Sequence, residues 1–148
     1  MKQFNPQPGD FGLTRISGLT GRAVSLGQRL IGSGSYFTHA FVYVGNGEIV
    51  EAQPGGACRS PLPTDRRVVF SDFNLTGSQR ANIVRAAVGY IGTPYSYLDS
   101  LEEFVGETHH MICSQLVAQC YADAGIPLFP GRVSGDVAPG DLARLIGA

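Results

Sequence analysis

Thr38-His39-Ala40-Phe41-Val42-Tyr43-Val44-Gly45-Asn46-Gly47-Glu48-Ile49-Val50-Glu51-Ala52-Gln53 is the stretch on which the fold turns. Thr38 to Val44 is rich in β-branched and aromatic residues, which suit a pleated surface. Gly45-Asn46-Gly47 accepts positive φ at little cost and so makes a tight hairpin turn. Glu48 to Gln53 is then the returning strand. With Asn46 at the turn centre, His39 falls opposite Gln53 and diagonal to Glu51, on one face of the sheet.

Working outward, Pro8-Gly9-Asp10 reads as a turn and Phe11–Ile16 as a first strand. Asp10 is most simply a turn residue. Gly21–Ile31 places Ala23, Val24, Gly27, Leu30 and Ile31 near one helical face. Ser33-Gly34-Ser35 is a loop. Beyond the hairpin, Pro54-Gly55-Gly56 turns the chain, and short strands follow at Ala57–Leu62 and Arg67–Phe70. The period then changes. Thr76 or Ser78 can cap a helix running to about Ile91, with a stripe of Ile83, Val84, Ala87, Val88 and Ile91. Gly92-Thr93-Pro94 stops it. A short helix is expected over Tyr97–Val105. A stronger one covers Ile112–Ala124, with Ile112, Leu116, Val117, Cys120, Tyr121 and Ala124 on one face, ended by Gly125 and Pro127. Pro139–Ile146 is the last helix, with Pro near its start. Strands gather in the first half and helices in the second, which predicts an α+β fold.

The chain of 148 residues suits a single domain over 1–148. Hydrophobic residues are 43% and charged ones 16%, which argues against intrinsic disorder. Eleven Lys and Arg against 12 Asp and Glu give a formal net charge of -1, so no surplus is visible for a phosphate backbone and no nucleic-acid partner is expected. No apolar run reaches the roughly 18 residues of a membrane span. MKQFNPQPGD lacks the apolar h-region of a signal peptide, so the protein is expected to be cytoplasmic as synthesised, with a phage or secretion route needed to reach a cell wall. The three cysteines Cys58, Cys113 and Cys120 contain no C-x-x-C and cannot all pair, which argues against a zinc ribbon, a disulfide framework or a dithiol redox protein.

Cys113 stands at the first turn of the Ile112–Ala124 helix. The N–H groups and the positive end of the helix dipole there favour a thiolate, the nucleophilic form. The same N–H groups can stabilise an oxyanion. A buried structural cysteine fits the same position. Cys120 lies two turns further along the apolar face and reads as core; Cys58 reads as structural. His39 opens the strongest strand and is rigidly aimed, as a general base should be, although a satisfied, partly buried histidine fits too. His109 and His110 lie in a polar stretch and read as solvated. Glu51 is the candidate to orient the imidazole, with Gln53 as fallback. Tyr95 could place a hydroxyl near the sulfur, or simply pack after the helix stop.

Gly92-Thr93-Pro94-Tyr95, then Ile112-Cys113-Ser114-Gln115-Leu116-Val117, then Ala124-Gly125-Ile126-Pro127-Leu128 resemble the NlpC-type papain-like cysteine peptidases. The histidine strand precedes the cysteine helix, an order that resembles the circularly permuted branch, which holds YiiX/YaeF-like amidases and the lecithin:retinol acyltransferase group. Pro8-Gly9-Asp10 and Pro139-Gly140-Asp141-Leu142 resemble that branch too, so the likeness spans about residues 8 to 146. It departs where Tyr97-Leu98-Asp99 replaces a Gly-Gly and where Gln115 replaces a common Glu. The resemblance implies an antiparallel sheet packed on the Cys helix, with Cys113 as nucleophile, His39 as base and Glu51 as orienting residue. It places Tyr95 and Ser114 at the oxyanion or substrate cleft. It implies a hydrolase without cofactor or metal, acting on an amide of peptidoglycan stem peptides. A lipid acyl hydrolase or acyltransferase, and a non-catalytic binding module retaining the fold, are the alternatives.

Overall fold

The computed structural model describes residues 5–15, 37–53, 56–93, 112–132 and 137–148. Within them lie β1 (Phe11–Thr14), β2 (His39–Gly45), β3 (Glu48–Gln53), β4 (Gly56–Pro61) and β5 (Val68–Phe70). Three helices follow, α1 (Gly77–Tyr90), α2 (Ile112–Asp123) and α3 (Pro139–Leu145). The strands form one five-stranded sheet in the order β4-β3-β2-β1-β5, with every pairing antiparallel. The fold is α+β, as the change of period predicts. The helix expected over 21–31, the loop at 33–35 and the helix expected over 97–105 lie outside the described residues.

The hairpin turn has Gly45, Asn46 and Gly47 all at positive φ. Val42 stands opposite Val50 and Tyr43 opposite Ile49, the register expected from a turn centred on Asn46; the ladder shifts between Tyr43 and Gly45. Alternation then sorts the side chains. Phe11, Leu13, Ala40, Val42, Val50 and Ala52 join the core with Ile83 and Ala87 of α1 and with Leu116, Val117, Cys120 and Tyr121 of α2. Phe41 and Ile49, equally buried, lie outside that cluster on the opposite face. Phe41 occupies a slot over Gly12, its cross-strand partner. A Cβ built on Gly12 would come within 2.4 Å of the Phe41 ring. Phe41 also meets Phe70 edge-on and lies 6.3 Å from the His39 ring, centroid to centroid.

Thr76, not Ser78, caps α1. Its hydroxyl accepts from the Gln79 N–H at 3.1 Å, and the Gln79 side chain accepts from the Thr76 N–H at 2.9 Å, a reciprocal capping box. The apolar stripe is narrower than expected: Ile83 and Ala87 are buried, while Val88 and Ile91 are exposed. Only the i, i+4 pair that meets the sheet and α2 is covered. The end of α2 is a Schellman arrangement. Gly125, at φ +80°, donates to the Ala122 carbonyl, and Ile126 donates to the Tyr121 carbonyl. In α3, Pro139 fills the first turn and the Asp141 carboxylate accepts from the Ala138 N–H at 2.9 Å.

Candidate functional site

One end of the sheet gathers the chemistry. Thr14 and His39 are cross-strand partners there, and β3 ends on Gln53 opposite Gly56. The segment before Pro94 is attached at the same end: Ala57 donates to the Thr93 carbonyl, and Gly92 donates to the Ala57 carbonyl. His39 is the first residue of β2, where its ring can be reached from the end of the strand. The Cys113 side chain, on the first turn of α2, is hydrogen-bonded to that ring. On the other side His39 Nε2 lies 3.6 Å from Glu51 Oε2. The Glu51 Oε1 atom accepts a hydrogen bond from the Gln53 side-chain amide. The structure therefore brings Cys113, His39, Glu51 and Gln53 into one chain of contacts, although His39 and Cys113 are far apart in sequence.

His39 and Glu51 are each only 8% exposed, and burial alone would neutralise both. It does not prevail. Burial pushes the His39 imidazole down, but hydrogen bonds to Cys113 and Glu51, with the charges behind them, raise its pKa to about 9. Burial likewise pushes the Glu51 carboxyl up, but the hydrogen bonds from His39 and Gln53 hold it below the usual carboxylate range. The imidazole is thus held protonated through neutral pH beside an ionised carboxylate.

Ser114 is fully buried, and its hydroxyl donates to the Val137 carbonyl, which ties the start of α2 to the segment ahead of α3. Tyr95 lies outside the described residues, as do His109 and His110. Cys120 is fully buried in the core, and burial pushes its thiol up to about 12. Cys58 is half-buried directly opposite Glu51, with its sulfur 3.7 Å from the Ser60 hydroxyl. Asp10 is more than a turn residue. It accepts from the Gln7 N–H, as a turn aspartate does, but it is 1% exposed and its other oxygen lies 2.8 Å from Arg80 Nη1.

Gln53, the fallback to Glu51, donates its side-chain amide to the Glu51 carboxylate, because on a strand i and i+2 share a face. Gly12 was missed. A glycine inside an otherwise apolar strand was the available signal for a close approach. Among the described residues no group of three or more His, Cys, Asp or Glu side chains forms a metal-holding cluster, and no helix is long and apolar enough to cross a membrane.

No protein-family model matches the chain, and no curated protein matches it. Among solved structures, the chain is similar in fold to the metalloprotein YiiX from Escherichia coli O157:H7, described as DUF1105. The TM-score is 0.61 at 22% identity, over 84% of this chain and 70% of that one.

Proposed function

We propose that this protein is a cysteine hydrolase of the circularly permuted papain-like type, with Cys113 as nucleophile, His39 as proton carrier and Glu51 as the residue that orients it. The observation that carries this reading is the buried contact chain from Cys113 through His39 to Glu51. With Nε2 turned to Glu51, Nδ1 is the ring nitrogen left for the sulfur. The Cys113 thiolate attacks a carbonyl carbon and forms the C–S bond. The oxyanion is stabilised by N–H groups of the first turn of α2. The Ser114 hydroxyl is engaged by Val137, so Ser114 contributes through its backbone. Tyr95 is assigned to the oxyanion side on its place in the Gly92-Thr93-Pro94-Tyr95 motif. The C–N bond breaks as His39 gives its proton to the leaving amine. His39, now neutral, takes a proton from water, the resulting hydroxide attacks the thioester, and the C–S bond breaks to release the acid. YiiX is described as a metalloprotein; among the described residues of this chain no group of three or more His, Cys, Asp or Glu side chains could hold a metal ion.

The substrate class we assign is an amide of peptidoglycan stem peptides. Purified wild type and Cys113→Ala are incubated with peptidoglycan fragments and, separately, with phospholipid vesicles, and the products are identified by mass spectrometry. Wild-type-only products from the peptide fragments support the assignment. Products from vesicles alone move the substrate to lipid acyl groups. No difference between the two proteins in either incubation rejects catalysis.

A further inference from the structure

We propose that Arg66 and Arg67 form a cationic rim beside the His39–Glu51 pair, where they take a carboxylate carried by the acyl substrate close to its scissile carbonyl. The inference rests on the hydrolase reading above and sharpens it to an anionic substrate.

Strands β4 and β5 are the two edges of the sheet, so the chain between them has to cross it. The crossing starts at the hairpin end, where Leu62 donates to the Gly47 carbonyl at 2.8 Å. It finishes at the His39 end, where the Thr14 hydroxyl donates to the Arg67 carbonyl at 2.9 Å. Thr14 is the cross-strand partner of both His39 and Val68. Arg67 is thereby anchored to β1, one strand away from the one that carries the imidazole, with Arg15 following Thr14 at the same end of the sheet. All three arginines are exposed. Arg66, one residue back along the crossing, interacts electrostatically with Glu51.

The guanidinium of Arg66 already holds a carboxylate. Its Nε and Nη2 lie 3.1 and 3.3 Å from the two oxygens of Asp65, a side chain 72% exposed. A solvent-exposed ion pair of this kind is worth little, so an incoming carboxylate can exchange for it. The two-pronged geometry suits a planar carboxylate. Glu51, the other acidic group near this rim, is engaged by His39 and Gln53.

The test compares alkylation of Cys113 by iodoacetate and by iodoacetamide in the whole protein, followed by peptide mass spectrometry. The protonated His39 attracts iodoacetate by itself, so the readout is the change in the rate ratio between proteins. In the Arg66→Gln/Arg67→Gln double variant the iodoacetate-to-iodoacetamide ratio is expected to fall about three- to tenfold, the scale of two screened charges at close range. Arg66→Lys/Arg67→Lys should retain most of the ratio. Arg85→Gln, on α1, should leave it unchanged. The difference between wild type and the Gln variant should shrink near 1 M salt, where the Debye length is about 3 Å. A ratio unaffected by the Gln variant overturns the proposal while leaving the hydrolase reading intact. Equal, slow labelling of Cys113 by both reagents overturns both. Protection of Cys113 by glutarate should exceed protection by inorganic phosphate; the reverse order would replace a carboxylate with a phosphate ligand and overturn the assignment.

Discussion

Two buried carboxylates stand at opposite ends of the same sheet and are used differently. At the hairpin end, Asp10 lies 2.8 Å from Arg80. Arg80 also donates to the carbonyls of Pro8 and Phe73, and the Tyr121 hydroxyl donates to the Gly9 carbonyl at 2.6 Å. Guanidinium stays charged at every working pH, so this end is a permanent clamp between the first strand, α1 and α2. At the other end, Glu51 faces an imidazole at 3.6 Å, and that imidazole faces a thiol. The imidazole, unlike a guanidinium, can give up its proton within a few units of neutrality. The same burial that makes the Asp10 pair rigid makes the Glu51 pair responsive, and the difference lies in the partner. The two cysteines of α2 repeat the lesson. Cys120, deep in the core, has no imidazole and is driven toward the neutral thiol, whereas Cys113 at the helix mouth has one.

The sharpest way to break the comparison is to remove one cysteine at a time. On the proposed hydrolase reading, Cys113→Ala should reduce hydrolysis by about 10³-fold or more, as loss of a nucleophile does, whereas Cys120→Ala should not. Rates measured on peptidoglycan fragments decide, and equal losses in the two variants would remove the distinction. In wild type, iodoacetamide near neutral pH should label Cys113 well before Cys58 or Cys120.

Asp10→Ala should cost about 3 kcal/mol, because it leaves Arg80 partly buried without its carboxylate. At roughly 2–4 °C per kcal/mol for a chain of this size, the melting temperature should drop by about 6–12 °C. An unchanged melt would show that the clamp carries no stability.

The responsive end should betray itself through pH. His39 has a folded pKa of about 9 against 6.5 for a free imidazole. Its contribution to stability is therefore fully present below pH 6.5 and is lost as pH rises through 9. The stability gap between wild type and His39→Gln should be widest near pH 6 and narrow toward pH 9.5, by at most about 3 kcal/mol. Glu51, whose pKa is lowered, acts in the opposite sense: its contribution is present above about pH 4.5 and fades as pH falls. A gap that stays constant from pH 6 to 9.5 would contradict a protonated His39.

Glu51→Gln removes the charge and keeps the shape. A loss of about 10- to 100-fold in activity is expected for an orienting partner of histidine, with thermal stability near neutrality also reduced. The smallest effect is reserved for Tyr121→Phe, which deletes the buried hydroxyl that donates to the Gly9 carbonyl and also bonds with Ser71, at about 1 kcal/mol for each hydrogen bond. Its melt should shift by only a few degrees, and Cys113 alkylation should not change.

Much of this could be read along the chain because the deciding interactions are local. Gly45-Asn46-Gly47 sets the hairpin register through positive φ, and that register alone puts His39 and Glu51 on one face. The capping box at Thr76 and Gln79 and the Gly125 stop on α2 are likewise interactions between near neighbours. The exposed half of the α1 stripe was not legible, since which apolar residues are covered depends on the width of the partner surface and not on their spacing.

What the sequence determined by itself, then, is the elements, the hairpin and the residue types suited to thiol chemistry, because backbone sterics and helix-end electrostatics act over a few residues. Only the tertiary structure decided that Cys113 meets His39, that Asp10 is clamped by Arg80, and that Phe41 rests over Gly12. Those contacts join distant parts of the chain. They exist because the core draws α1 and α2 onto a single face of the sheet, and that packing carries the first turn of α2 to the strand end where the histidine waits.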